Sequence, residues 1–464
     1  MRFTRRQVVA GAAGIAALGS AGIYELVEQL GQTPKRAAAA SPPPEQHLLD
    51  GVRMVRDNGV EVLVPPLHHE VVTARVRRDT AGGDLRAAQA ELEYQLSELE
   101  RAFPATPAGL GVTVAWGRPY FERFAVGPAA AYLPHDRRAD KPVLLDAIRF
   151  PSDPPETVLE RNDVAVLLRS DSLEHIAEAS KALFEKTDLF EVTSIRRGFA
   201  GGGFAGGRSL PKRMALAAGV PGADLIPDTS ELFLGFTSTQ KAGLGPPRIA
   251  NFETLGYVDL RGSDYFRGGT HMHLSHIFED LEAWYLNFDF QERVDTAFRP
   301  RLEVEAGTQT VPQGPPEAQT ERQVRTDFKL TGRMGHSASI QPTSRLQQDV
   351  VAEDGHVYPK GTAIPQRADF NTLDNPFAWS STPDRDGMAK QPAAGVHFVV
   401  FNPTSDDFHR NRLAMDGVLP GGRIPFLPRA RGQGFNAILR TTHRQNFLVP
   451  PRRHRSFPLA ELEG

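Results

Sequence analysis

The chain of 464 residues contains no cysteine. This absence excludes disulfide bonds, iron–sulfur clusters, thiolate-ligated heme or zinc, and cysteine nucleophiles, because each of them needs a sulfur atom. Any metal ion must therefore be held by histidine, by carboxylates or by a macrocycle.

An excess of positive charge is also absent. The chain has 53 basic and 56 acidic residues, a formal net charge of −3. A nucleic-acid-binding protein needs clustered positive charge, so we expect no nucleic-acid partner. Beyond the N-terminus there is no run of about 18 apolar residues, which excludes an internal membrane span. With 40% hydrophobic and 23% charged residues, the composition is that of a globular protein of two or three domains.

The N-terminus has the features of an export signal. Arg5 and Arg6 precede a weakly hydrophobic, Gly- and Ala-rich stretch over residues 8–23. Paired arginines before such a stretch favour a Tat leader over a Sec leader. We therefore assign residues 1–45 to a leader and linker, and expect an extracytoplasmic protein that uses the Tat translocase. Cleavage near Ala21, cleavage within Ala37–Ala40 and an uncleaved membrane anchor all stay open.

Residues 46–207 are predicted to form one α+β domain. Apolar residues at helical spacing predict helices, and alternating or continuous apolar runs predict strands. The predicted order is strand–helix–strand–strand–helix–strand, which is typical of a ferredoxin-like domain. The strands are expected at residues 68–78, 110–116, 163–170 and 189–197, and the helices at residues 84–103 and 172–187.

Residues 208–464 are predicted to form a second domain of the same kind with longer loops. We expect strands at residues 230–239, 268–277 and 395–404, and helices at residues 278–298 and 405–417, the last capped by Ser405 or Asp406. The fold class is therefore α+β, with two ferredoxin-like halves whose antiparallel sheets carry their helices on the outside. The space between a sheet and its helices is a natural cavity for a cofactor.

Three of the 14 histidines lie close together, at positions 271, 273 and 276. On a strand, His271 and His273 share one face, and His276 falls on the other face unless the strand bulges. Neutral imidazoles on one face can bind copper, zinc or iron. A metal site built from His271, His273 and His276 is therefore one alternative.

Several segments in a fixed order resemble the dye-decolorizing peroxidases, a heme family with two ferredoxin-like halves that is often exported by Tat. The segment FLGFTST resembles the family's GxxDG motif, and HSASIQP resembles its proximal-histidine motif. AIPQRADFN is similar to the segment that carries a distal arginine. The resemblance covers most of residues 60–420, and the matching segments are 112–124, 233–239, 268–294, 336–342, 363–371 and 396–410.

This resemblance implies a heme b cavity in the C-terminal half, with His336 as the axial ligand of the iron. The other ring nitrogen of His336 would then need a carboxylate or carbonyl partner. His276 falls where the family usually has an arginine near a heme propionate. Hydrogen peroxide and an unidentified reducing substrate would be the partners, and a homo-oligomer stays open.

The sequence departs from the family at the residues that assist peroxide cleavage. The aspartate of GxxDG is replaced by Ser238, and its second glycine by Thr239. A serine hydroxyl cannot act as the general base that the aspartate provides. The distal arginine position falls on Gln366 or on Arg367, depending on a shift of one residue in the alignment.

We therefore expect an exported, heme-binding protein that resembles the dye-decolorizing peroxidases, with peroxidase activity that is weakened if present. One alternative is a non-enzymatic descendant with the same fold, whose cavity is empty or holds another ligand. The other alternative is the histidine-bound metal protein.

Overall fold

The computed structural model describes residues 23–31, 42–57, 60–77, 85–137, 139–204, 207–236, 253, 260–261, 264–307, 319–351, 355–375, 392–425 and 433–462. Within these residues, no helix combines the length and the apolar character that crossing a membrane requires. A short helix, α1 (Glu25–Leu30), precedes the two halves of the fold.

The N-terminal half has the predicted order of strands and helices. Its elements are β1 (His68–Val76), α2 (Leu85–Ala102), β2 (Gly111–Gly117), β3 (Val164–Ser170), α3 (Leu173–Phe184) and β4 (Phe190–Phe199). The strands pair antiparallel in the order β4-β1-β3-β2. This is the ferredoxin-like arrangement, and helices α2 and α3 cover its outer face with an apolar layer.

The C-terminal half repeats this arrangement with longer connections. Its elements are β5 (Thr270–Glu279), α4 (Leu281–Leu286), α5 (Phe290–Ala297), α6 (His336–Ser344), β6 (Phe370–Thr372), β7 (Gly395–Asn402), α7 (Ser405–Met415) and β8 (Leu439–Val449). The strands pair antiparallel in the order β8-β5-β7-β6. The prediction of two ferredoxin-like halves is thereby confirmed.

Three local predictions for this half were wrong. The helix predicted over residues 278–298 is two helices, because Asp289 starts a new one through a capping box with Glu292. Residues 230–236 of the predicted strand 230–239 form turns instead of a strand. The cap of α7 is Thr404, whose hydroxyl accepts a hydrogen bond from the Asp407 backbone N–H.

The two sheets join edge to edge into one closed ring of eight strands. Phe447 and Leu448 of β8 pair with Gly117 and Trp116 of β2, and Asn371 of β6 pairs with Phe199, the last residue of β4. Closure gives every strand an inner and an outer face. The apolar residues that fill the interior are Val71, Ala115, Ala165, Leu167, Ala200, Met272, Leu274, Phe370, Val399, Phe401, Phe447 and Val449.

Shorter elements connect the halves and cover their ends. The additional helices are Arg118–Arg123, Val126–Tyr132, Leu210–Ala218 and Glu321–Thr331, with 3₁₀ turns at Ala223–Leu225, Asp264–Phe266, Gly434–Ala437, Arg452–His454 and Ala460–Leu462. The additional strands are Met54–Asp57, Val60–Leu63, His135–Asp136, Lys141–Pro142, Val158–Leu159, Leu260–Arg261, Val350–Val351, Val357–Tyr358, Gln366–Arg367, Val418–Leu419 and Gly422–Arg423.

The cap of α7 gives a direct test of this local structure. Replacing Thr404 by Ala removes the oxygen that accepts from the Asp407 N–H, and should lower the free energy of unfolding by about 1 kcal/mol. Chemical denaturation measures this change. Thr404→Ser keeps the oxygen and should be close to wild type. Equal losses in both variants would mean that the cap contributes nothing.

Candidate functional site

His336 is the first residue of α6, at a point where the backbone comes close to the end of α5. A Cβ atom on the preceding Gly335 would lie 2.2 Å from the Phe298 carbonyl oxygen, so only glycine fits there. The His336 ring packs against the ring of Phe435, with 4.5 Å between the two centroids. The position of His336 is therefore fixed by tight backbone packing at Gly335 and by the contact of its ring with Phe435.

The imidazole of His336 is neutral at physiological pH. Burial lowers its pKa to about 3, and the positive charges of Arg367 and Arg412 act in the same direction. The buried Nδ1 atom has no hydrogen-bond partner among the described residues. The carboxylate or carbonyl partner that the resemblance implies is therefore not found in the described part of the chain. A neutral imidazole can nevertheless act as a metal ligand through its other nitrogen.

A small, partly open gap lies against His336, and it is too narrow to admit a water molecule. The residues that line it come from α6, from the end of α7 and from the 3₁₀ turn that precedes β8: Met334, His336, Ser339, Met415, Gln433, Gly434 and Phe435.

Strand register places the two candidates for the distal position on different faces of the sheet. Gln366 pairs with Phe401, whose side chain fills the ring interior, and Arg367 pairs with Val400. Paired residues point to the same face of a sheet. Gln366 is therefore on the inner face, and Arg367 is on the outer face. His336 is on the outer side as well, because α6 packs against α7, and Phe408 of α7 stacks on the outward-pointing ring of His273.

Arg367 is tied to a carboxylate that the sequence analysis did not single out. Its Nε and Nη2 atoms donate hydrogen bonds of 2.9 and 3.0 Å to the two oxygens of Asp369. Burial alone would lower the pKa of Arg367, but the Asp369 carboxylate raises it, so the guanidinium stays charged. The Arg367 side chain is 43% exposed. It is thus a half-exposed, internally paired cation.

The outer face of the C-terminal sheet is only partly covered near Arg367. Along β7, Val399–Asn402 are all buried, and Phe408 of α7 packs against this region. Phe398 is half-buried and also packs against Phe408. Val396 and its partner Ile277 on β5 are half-buried as well. We use the name outer cleft for the part of the outer face that carries Arg367, together with His336 of α6.

The histidines of β5 do not form one site. The inward side chains include Met272, Leu274 and His276, so His271 and His273 point outward. His273 is held by Asn446 at 2.7 Å and by Ser275 at 2.6 Å, which engages both of its ring nitrogens. Among the described residues, no group of three or more His, Asp or Glu is arranged to hold a metal ion.

His276 lies inside the ring of strands, where its ring is 4.3 Å from that of His397. Burial lowers its pKa well below the usual value, and His397 and Arg196 add to this effect. His336 and Arg367 lie on the other side of the sheet. The structure therefore does not bring His276 to the outer cleft, because positions 272, 274 and 276 alternate onto the inner face.

Ser238 lies outside the described residues. The described part of its segment is anchored to α4, since the Trp284 indole donates to the Leu234 carbonyl and the Tyr285 hydroxyl donates to the Phe233 carbonyl. Upstream in the same segment, the negative charge of Glu231 contributes to the raised pKa of Arg367.

The sequence analysis did not identify two acidic residues near the outer cleft, Asp369 and Glu279. Asp369 follows Arg367 by two positions in a strand-like segment, and this spacing places both side chains on one face, so a pattern was available. Glu279 ends β5 and is 7% exposed, with a pKa raised to about 8 by burial and then by Asp369. A glutamate after a predicted strand carries no sequence signal of such burial.

Comparisons with known proteins agree with this fold. A family model described as a family of unknown function (DUF7405) matches residues 66–451. No curated protein sequence matches the chain.

Among solved structures, the chain is similar to DtpA from Streptomyces lividans in an oxyferrous complex, with 15% identity and a TM-score of 0.51 over 91% of this chain and 95% of that chain. It is also similar to a DyP-type peroxidase from Cellulomonas bogoriensis, with 17% identity and a TM-score of 0.48 over 88% and 96%. The resemblance to dye-decolorizing peroxidases is thereby confirmed as a likeness of fold.

The buried carboxyl of Glu279 generates a pH prediction. Its pKa is about 8 in the folded protein against 4.5 for an ordinary glutamate. Between pH 4.5 and 8 the unfolded chain releases this proton while the folded protein keeps it, so the free energy of unfolding falls progressively as the pH rises. Glu279→Gln removes this penalty. The variant should gain stability relative to wild type by up to about 1.4 kcal/mol per pH unit over that interval.

Denaturant unfolding at several pH values measures this difference. The matched control is Glu282→Gln, an exposed glutamate three residues later. If the difference between Glu279→Gln and wild type is the same at pH 5 and pH 8, then Glu279 does not hold its proton in the folded protein.

Proposed function

The chain belongs to the family of unknown function DUF7405, and we propose that it is a heme-binding protein whose capacity for peroxide chemistry is weakened. The observation that carries this proposal is the imidazole of His336 at the start of α6, which burial keeps neutral and which lies within the electrostatic influence of Arg367. The likeness in fold to DtpA, an iron protein by its oxyferrous complex, supports it.

The residues of the outer cleft fit a heme in their chemistry. A neutral imidazole is a common axial ligand of heme iron. Ile277 and Val396 add half-buried apolar side chains on the same outer face. The gap beside His336 is too narrow for a water molecule, so a macrocycle enters only if the residues around the gap move apart.

Bound heme would supply the redox chemistry that the side chains of this chain lack. His336 would hold the iron, and its Nδ1 has no described partner to increase its basicity. The guanidinium of Arg367 would stabilise negative charge on a ligand bound beside it. Its charge is already compensated by Asp369, which reduces that effect.

Proton transfer is the weak part of the arrangement. Both oxygens of Asp369 accept hydrogen bonds from Arg367, so this carboxylate is already engaged within the fold. Glu279 already carries a proton at neutral pH. Ser238 has no accessible change of charge. We therefore propose slow reaction with hydrogen peroxide and leave the reducing substrate unassigned.

A second candidate function is that of a DyP-like binding protein without heme. The gap beside His336, which is too narrow for a water molecule, and the internal pairing of Arg367 favour this alternative. In that case His336 would contact a smaller ligand.

We also propose that the chain is exported through the Tat translocase. The paired Arg5 and Arg6 before a weakly hydrophobic stretch support this. Tat carries folded proteins, which suits a chain that takes up a cofactor before export.

Replacement of the proposed axial ligand tests the heme site. His336→Ala should abolish the Soret band that appears when the protein is titrated with hemin, because no other described imidazole faces this gap. His273→Ala should keep the band, since both ring nitrogens of His273 are engaged within the fold.

His356→Ala, at an exposed position, controls for the loss of a histidine elsewhere. Circular dichroism establishes that each variant is folded. Retention of the band in His336→Ala together with its loss in His273→Ala would place the iron on β5 instead.

The pairing of Arg367 with Asp369 gives a second test. Asp369→Asn releases the guanidinium from its counter-charge and should strengthen azide binding to the heme-loaded protein about five-fold, the equivalent of the ~1 kcal/mol that a half-exposed ion pair contributes. Arg367→Ala should weaken azide binding, and in the double variant the Asp369→Asn effect should disappear. Absorbance titration measures each affinity. An unchanged affinity in both single variants would show that Arg367 does not face the bound ligand.

A further inference from the structure

Part of the range assigned to leader and linker is folded into the body of the protein. We call residues 23–31 the docked segment. Ile23, Tyr24 and Val27 are 1%, 3% and 0% exposed. They belong to the same apolar cluster as Phe199, the last residue of β4, and Leu210. Side chains this deeply buried are typical of a core and not of a linker.

Tyr24 ties the docked segment to the end of β6. Its hydroxyl donates a hydrogen bond of 2.9 Å to Asp374 Oδ1 and accepts one of 3.0 Å from the Leu373 backbone N–H. The Thr372 hydroxyl lies 3.1 Å away. Burial raises the pKa of Tyr24 well above its usual value, and Asp374 adds to this effect. The phenol therefore stays protonated and acts as a donor, over a sequence separation of 350 residues.

Two further contacts reach other elements. Glu28 Oε1 accepts a hydrogen bond of 2.8 Å from the backbone N–H of Leu173, the first residue of α3, where the helix dipole favours a negative charge. Arg213 donates a hydrogen bond to the Leu30 carbonyl oxygen. The docked segment thus contacts both halves of the fold.

The last residue of the docked segment, Gly31, packs closely against Leu67. A Cβ atom on Gly31 would lie 2.7 Å from a methyl carbon of Leu67, which directly precedes β1. Loss of the docked segment would expose Phe199 and Leu210 to water and would remove the donor that Asp374 receives from Tyr24.

We infer that any peptidase that matures the chain hydrolyses a peptide bond N-terminal to Ile23, so that the docked segment stays in the mature protein. Water adds across the bond, the leader leaves with a new carboxylate, and the mature chain gains a new α-amino group at or before position 23. This inference rests on the export proposed above. It rejects cleavage within Ala37–Ala40, which would remove every contact of the docked segment, and retains cleavage near Ala21 and an uncleaved chain.

The N-terminus of the protein made from the full-length gene tests this inference. The chain is expressed with a C-terminal tag, collected from the extracytoplasmic fraction, and its intact mass is measured. A mature chain that starts at or before residue 23, or an uncleaved chain, is the expected result. A folded mature chain that starts at any later residue would overturn the inference.

The mass does not depend on heme, so a failure of the proposed cofactor leaves this result unaffected. Export has its own control, because Arg5→Lys combined with Arg6→Lys should abolish the extracytoplasmic protein. If the double variant is exported normally, the Tat proposal fails, and the mass still reports where the chain is cut.

A variant of the full-length chain tests whether the docked segment contributes to stability. Val27→Asp places a charge at a fully buried position and should lower the midpoint of thermal unfolding by more than about 5 °C. Glu25→Gln, on the exposed side of the same helix, should leave the midpoint unchanged. Equal midpoints for wild type and both variants would show that the docked segment is not part of the folded protein.

Discussion

Closure of the eight-strand ring is the constraint on which the rest of this structure depends. The pairing of β8 with β2 and of β6 with β4 joins two ferredoxin-like sheets and leaves neither with free edges at these positions. Closure gives each strand a buried inner face and an outer face that helices must cover. The candidate site lies on the outer side, where α6 packs against α7 and Arg367 pairs with Val400 of β7.

The same constraint separates residues that are close in sequence. His271 and His273 lie under α7, whereas His276 faces His397 inside the ring. Gln366 and Arg367 are likewise divided between the two faces. The result is a cleft with one neutral imidazole and one guanidinium, and that guanidinium is bound to its own carboxylate. Such a site can hold a ligand and stabilise some negative charge, but it has little capacity to accept protons.

Periodicity predicted most of the fold, because the strands and helices of the N-terminal half have strong apolar patterns. It failed for β8, which carries Arg444, Gln445 and Asn446 in a buried strand. These polar groups are satisfied by distant partners, such as Asp153 for Arg444 and Asn162 for Gln445, and no local pattern shows those contacts. Arg367 could not be separated from Gln366 without the strand register, and the burial of Glu279 follows only from the packing around it.

The account depends on His336 as the ligand of a heme. The most direct test is the absorption spectrum of the wild-type protein purified from a host that has an ample supply of heme, together with the ratio of heme to protein. The account predicts a Soret band with about one heme per chain. A protein that is folded and shows no Soret band, either as purified or after incubation with hemin, would contradict it and would favour a DyP-like fold that binds another ligand.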